Sequence, residues 1–247
     1  MTDDEVTMSL LEHLEELRSR IIVIAIAILL AGIVGFYLAD PLIGLLRRPL
    51  PDDGAQLIQL TVGEAFGVHI QVALMAGVAL AMPVILYQVW AFVAPGLYRH
   101  ERRFALPLFV SSVILFYAGA AFAYFVVFPL AFKFFVGTTP EGVRMMTDMT
   151  QYMDFAVLMF FAFGLAFEIP VATVLLVRTG LVKRRTLTSN RGYVILGIFI
   201  VAAFLTPPDP VSQTMMAIPM YLLYEGGVLM SCVLVRDKPE PEQAESA

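Results

Sequence analysis

Residues 21–38 read IIVIAIAILLAGIVGFYL, a run of 18 positions without one charged side chain. At 1.5 Å per residue such a run spans about 27 Å as a helix, close to the roughly 30 Å hydrocarbon core of a bilayer. Working outward, further apolar segments lie near 64–92, 107–128, 151–178, 192–205 and 211–232. The whole chain of 247 residues is 59% hydrophobic and 15% charged, with mean hydropathy +0.81. Soluble domains average about 45–50% apolar and about 25% charged residues, so too few polar side chains remain to cover a water-facing globule. The expected fold class is all-α integral membrane, with six transmembrane helices. The second and fourth segments exceed the roughly 20 residues a crossing needs and should tilt, kink or protrude. Pro83 and Pro170 are the expected kinks, because proline lacks an N–H and clashes with the carbonyl four residues back. The fifth segment would span only about 21 Å. It is joined to the sixth by the tight stretch Thr206-Pro207-Pro208-Asp209. That short hairpin should reach both faces only of a thinned bilayer.

The net charge of −5 is mostly a tail effect. Ten of the 21 acids lie within residues 1–16 and 237–247, which argues against a nucleic-acid-binding surface. Basic residues set the orientation. With both termini inside, 12 Lys and Arg face the cytoplasm and only Arg47, Arg48, Lys133 and Arg144 lie outside. The expectation is N-in and C-in, as one polytopic domain over 1–236 with a disordered acidic cytoplasmic tail at 237–247. Residues 1–20 are acidic and amphipathic, so no cleavable signal peptide is expected there.

Several chemistries are argued against. The chain has no GxxxxGK[ST] loop and no GxSxG serine, and its three histidines (His13, His69, His100) stand far apart. Cys232 is alone, which rules out an intrachain disulfide or a CxxC site. The expectation is a protein that is not an enzyme and that holds no metal and no cofactor. Any transport it supports must draw on a gradient or on partner proteins.

Individual residues stand out. Ser9 and Glu12 form a capping box ahead of an apolar stripe of Leu10, Leu14, Leu17 and Ile21. On the opposite face Glu16 and Arg20 can pair at i,i+4; equally, a carboxylate there suits the guanidinium fork of a ligand arginine. Glu101 is the sole acid in the first cytoplasmic loop, among Arg99, Arg102 and Arg103. It is either a local salt bridge or an acceptor that projects away from those cations. Phe92 and Pro95 stand where the second span meets this loop. Glu168 lies inside the fourth span, where a charge costs about 2.5–3.5 kcal/mol on insertion scales; it should be paired, protonated or facing water. Asp209 followed by Pro210 reads as an N-cap of the sixth span. Gln213 fits either a polar patch or an ordinary helix start. His69 reads as an interfacial or buried hydrogen-bonding residue.

Several stretches, taken in order, resemble one family over about residues 10–232. They are His13-Leu14-Glu15-Glu16-Leu17-Arg18-Ser19-Arg20, Pro83-Val84-Ile85-Leu86-Tyr87-Gln88-Val89-Trp90-Ala91-Phe92 and Tyr98-Arg99-His100-Glu101-Arg102-Arg103. Further on come Phe122-Ala123-Tyr124-Phe125-Val126-Val127-Phe128-Pro129, Phe167-Glu168-Ile169-Pro170 and Thr206-Pro207-Pro208-Asp209. Together they resemble the TatC family, the multi-spanning receptor subunit of the twin-arginine protein translocase. The resemblance implies export of folded proteins across the cytoplasmic (inner) membrane, driven by the proton-motive force. It implies a signal-peptide surface of Glu16, Glu101 and Phe92 with Arg18, Arg102 and Arg103. It also implies an intramembrane polar or docking site at Glu168 and Gln213, and outer structural roles for Pro49 and Asp209. The implied partners are twin-arginine signal peptides, single-span TatA- and TatB-type subunits, further copies of the chain, and membrane lipid. The rival reading is a small proton-coupled transporter that uses Glu168. Such transporters carry internal repeats or matched broken helices, and neither is visible here.

Overall fold

The computed structural model describes residues 10–50, 56–93, 105–140, 146–206 and 210–234. The chain divides into two compact units, 1–165 and 166–247. In the first, helix α1 (Leu10–Tyr37) is followed by the short α2 (Ala39–Arg47), strand β1 (Gln56–Ile58) and α3 (Glu64–Val93). Then come α4 (Ala105–Phe122), a π-helical turn (Ala123–Val127), α5 (Phe128–Gly137), strand β2 (Met146–Asp148) and α6 (Met149–Ala166). The second unit holds α7 (Ile169–Arg178), α8 (Arg184–Ser189), α9 (Arg191–Leu205) and α10 (Pro210–Leu234).

Among the described residues, five stretches are long and apolar enough to cross a membrane: Leu14–Tyr37, Glu64–Phe92, Leu106–Gly137, Met149–Arg178 and Gln213–Leu234. The sixth apolar helix, α9, has 15 residues, or about 22 Å, and is short as its sequence suggested. The two prolines expected to kink their spans behave differently. Helix α3 runs through Pro83 without a break. The fourth span is interrupted at Phe167 and Glu168, after which Pro170 occupies the first turn of α7, where its missing N–H leaves no bond unmade. The third span extends past 128. Pro129 sits in the first turn of α5, and the π-helical turn before it widens the helix where the proline ring would meet a carbonyl.

The connections that contain residues 56–58 and 146–148 are not plain loops. Strands β1 and β2 pair in parallel, with Gln56 opposite Met146, Leu57 opposite Thr147 and Ile58 opposite Asp148. An all-helical expectation therefore omits one small sheet, which ties residues 56–58 to 146–148. Beneath it a core of Tyr152, Phe116, Phe128, Phe163, Met153 and Met159 is fully buried. Phe132 stacks on Tyr152 with ring centroids 5.1 Å apart.

Helix α1 packs chiefly on α3, backbone against backbone. A Cβ placed on Gly77 would stand 2.7 Å from the Cα of Gly32, and one placed on Gly35 would strike the carbonyl oxygen of Ala73. Lipid tails are as apolar as leucine, so helices associate in membranes through such close contacts rather than by apolar burial. In the second unit α7 meets α10 in the same way, since a Cβ on Gly227 would stand 2.8 Å from the Cα of Pro170. We expect Gly77→Ala to destabilise the protein by about 1–3 kcal/mol. Gly44→Ala, inside α2 where an added Cβ meets nothing within 4 Å, should keep stability or raise it by up to about 1 kcal/mol. Thermal unfolding of the two variants in detergent checks the contrast.

Candidate functional site

The N-terminal half of α1 and the C-terminal end of α3 are joined by one side chain. Arg20 donates from Nε to Glu16 Oε1 at 3.0 Å and from Nη2 to the same oxygen. It also donates from Nη1 to Gln88 Oε1 at 3.0 Å and from Nη2 to the Ala91 carbonyl at 3.1 Å. The i,i+4 pair legible in the sequence is therefore present, and Arg20 adds a bridge to α3. Glu16 is only 20% exposed. Its second oxygen, Oε2, is buried and accepts no hydrogen bond among the described residues. A buried acceptor without a donor costs about 1–3 kcal/mol, and more when charged. Arg20 thus occupies one carboxylate oxygen and leaves the other open to a further donor.

Phe92 follows Ala91 directly and is half-buried. The last turn of α3 is braced toward α4 by Trp90 Nε1, which donates to buried Ser112 Oγ at 3.2 Å. Arg18 is exposed. Glu101, Arg102 and Arg103, with Arg99 and Pro95, lie outside the described residues, as does Asp209. Glu168 is half-buried in the break between α6 and α7, at the N-cap position of α7, and its carbonyl accepts from the Ala172 N–H at 2.9 Å. Gln213 donates from Nε2 to the Phe199 carbonyl at 2.8 Å, holding α10 against α9. Pro49 is half-buried in the turn after α2.

Other polar residues gain roles that their sequence did not advertise. Glu64 is buried and clasps two helix starts. Its Oε2 accepts from Leu60 N at 2.7 Å and Thr61 N at 3.1 Å. Its Oε1 accepts from Thr150 N and Thr150 Oγ1, both at 3.1 Å. Tyr124 donates to the Leu45 carbonyl at 2.9 Å, which also accepts from the Arg48 N–H, and Tyr152 donates to the Leu46 carbonyl, so two tyrosines cap the end of α2. His69 lies 3.3 Å from the Phe36 carbonyl and 3.4 Å from the Asp40 carboxylate, the interfacial hydrogen-bonding role anticipated for it. In the second unit Arg191 grips Glu225 with two contacts, 2.8 and 2.9 Å, and Tyr221 donates to Glu225 at 2.7 Å. That fork pins the start of α9 to the middle of α10. No group of three or more potential metal ligands occurs among the described residues.

Similarity to known proteins decides what this arrangement belongs to. The family model described as "TatC: Sec-independent protein translocase protein (TatC)" matches residues 12–219. The chain belongs to the TatC family. It is 51% identical over 242 residues to the Sec-independent protein translocase protein TatC of Azotobacter chroococcum mcd 1, covering 97% of this chain and 94% of that protein. It is 48% identical over 230 residues to the protein of the same name from Escherichia coli (strain K12), covering 92% and 89%. A crystal structure of the twin-arginine translocase receptor TatC superimposes with a TM-score of 0.83 at 38% identity, covering 91% of this chain and all of that one. This TatC-family chain is therefore a multi-pass membrane protein and a translocase component, not an enzyme, and it works in a complex with other Tat subunits. The transporter reading of Glu168 is not favoured by this assignment.

The Glu64 clasp of this TatC chain titrates. The Asp148 carboxyl is pushed above the usual carboxylate range, first by the side-chain hydrogen bond it shares with Glu64 and against the pull of the Thr150 N–H. A folded-state value above the unfolded one of about 3.9 gives stability that is present below it and lost as pH rises through the folded value. Asn at 148 would keep a donor toward Glu64 without titrating. We expect the unfolding midpoint of Asp148→Asn to change less than that of the parent between about pH 4 and about pH 7. At the upper pH it should match or exceed the parent. Thermal melts across that range check this.

Proposed function

We infer that this chain is the translocase subunit that receives twin-arginine signal peptides on its cytoplasmic face, using Glu16 and Glu101. The observation that carries this reading is the state of Glu16. One oxygen is held by Arg20 while the other is buried without a donor among the described residues. A guanidinium fork from a peptide supplies the missing donor, and charge-assisted bonds of this kind are roughly twice as strong as neutral ones. Glu101, with Arg102 and Arg103 around it, offers the second acid for the second arginine. Phe92 would contribute apolar contact beside it, and exposed Arg18 the outer edge of the same surface.

In this reading the chain crosses the cytoplasmic membrane six times as one polytopic domain over 1–236, with both termini inside and an acidic tail at 237–247. The 12-to-4 distribution of basic residues supports the orientation. The 15-residue α9 would count as the fifth crossing only where the bilayer thins around the α9–α10 hairpin. Glu168, at the helix break, and Gln213, bonded across the hairpin, would give polar docking points for single-span TatA- and TatB-type subunits. Pro49 and Asp209 would shape the outer face, further copies of the chain would complete the assembly, and the proton-motive force would drive export. Site-specific photocrosslinking with an arginine-pair signal peptide tests the central part. Glu101→Lys should abolish the crosslink while the protein still inserts, and Glu16→Gln should weaken it about tenfold, the equivalent of roughly 1.4 kcal/mol. Undiminished crosslinking in both variants would contradict the assignment.

A further inference from the structure

Two acids meet where α3 and α6 begin. The Thr150 N–H reaches Glu64 Oε1 at 3.1 Å and Asp148 Oδ1 at 2.9 Å, so one donor gathers an oxygen from each carboxyl. The two side chains also hydrogen-bond to one another, which a pair of carboxyl groups can do only when one of them carries a proton. We propose that Glu64 and Asp148 share a single proton, and that this proton latches the end of β2 to the start of α3, closing the β1–β2 pairing as pH falls and releasing it as pH rises.

Three observations carry this. The first is charge. Carboxyl groups in contact resist joint ionisation unless a cation offsets them, and among the described residues no Lys, Arg or His pairs with either. The other titratable groups on the packed elements are engaged elsewhere. Strand β1 has none, His69 of α3 meets Phe36 and Asp40, Asp154 of α6 accepts from Gln71 at 2.6 Å, and Tyr152 donates to Leu46. Asp52, Asp53, Glu141 and Arg144 lie outside the described residues. The second is the placing of the proton. Glu64 accepts from Leu60 N, Thr61 N, Thr150 N and Thr150 Oγ1, a shell suited to a carboxylate. Asp148 has only the backbone donors of Thr150 and Gln151, so Asp148 carries the proton and donates it to Glu64. The third is leverage. Asp148 forms the last rung of a three-residue ladder, opposite Ile58. A two-stranded pairing is marginal by itself and opens locally at little cost. Loss of the proton sets a second negative charge against Glu64. Four donors anchor Glu64, so Asp148 and its rung are what give way.

The test is hydrogen exchange of the full chain in nanodiscs, read by mass spectrometry from about pH 4 to about pH 8 and corrected for the pH dependence of the chemical exchange rate. Peptides covering 56–60 and 146–151 should lose protection roughly fivefold or more as pH rises, while peptides from α9 keep theirs. In Asp148→Asn, which cannot ionise and keeps a donor toward Glu64, protection of the two segments should stay flat across the range. In Glu64→Gln, where no second charge can form, it should also be flat, though lower throughout because acceptors of the helix starts are lost. Constant protection in the parent would overturn the proposal, as would a pH-dependent loss that Asp148→Asn retains. A loss that spreads equally to α9 would do the same, since it reports global unfolding. Should Asp148→Asn fail to insert, Glu64→Gln takes its place, and a retained loss there is again contrary; if neither inserts, the contrast between the two segments and α9 in the parent decides.

Discussion

The first unit depends on how closely α1 approaches α3. The apolar window of α1 is only 6% buried, against 44% for α3, so α1 has little else to hold it. Dispersion between two helices falls away within an ångström or so of extra separation. Gly35 and Gly77, where an added Cβ would strike the facing backbone, are what permit contact this close. That contact fixes the rotation of α1, and the rotation carries Arg20 over the last turns of α3. The clamp of Arg20 on Gln88 and the Ala91 carbonyl is a consequence of the glycine contact, and the position of Glu16 is a consequence of the clamp. An acid on an amphipathic helix would otherwise sample many rotamers. Here one oxygen is held by Arg20, and the other has no donor among the described residues.

The opposite ends of these helices are organised by a different constraint. Where helices end near a bilayer surface their backbone groups must find partners, and in this chain side chains from distant elements supply them. Glu64 serves four donors from two helix starts. Tyr124 and Tyr152 close the end of α2, and His69 reaches the end of α1. The parallel pairing of β1 with β2 adds main-chain bonds to the same region. These are positioning contacts. They hold in register the ends of α1, α3 and α6 that lie away from Glu16.

Much of this was legible in the sequence, and the failures have physical causes. Long charge-free runs mark the spans, because hydrocarbon tolerates little else, and the shortness of 192–205 anticipates α9. The Glu16–Arg20 pair is a local relation, readable from a spacing of four. Gln88 lies 68 residues from Arg20, Leu45 lies 79 from Tyr124 and Leu46 lies 106 from Tyr152; no periodicity signals partners at such distances. The strands escaped notice because three residues cannot display an alternation. Nothing in the sequence around Glu64 signals its clasp, because its reach to Thr150 depends on how two helix starts meet. Pro129 gave no sign that a π-helical turn would carry the helix past it, whereas Pro170 did coincide with a true break. Glu168 was visible as an isolated acid in an apolar run, but its N-cap position required the break to be seen. The fork of Arg191 on Glu225 joins residues 34 apart, and no sequence spacing signals it.

The most direct measurement is a double-mutant cycle on signal-peptide affinity, with Glu16→Gln, Arg20→Gln and the double variant in nanodiscs. If Arg20 acts by holding Glu16 as an acceptor, each single variant weakens an arginine-pair peptide about tenfold, and the double variant is little weaker than either, as expected for coupled residues. A lysine-pair peptide, lacking the fork, should bind weakly throughout and respond little. Independent, additive losses, or an Arg20→Gln variant that binds as tightly as the parent, would contradict the account.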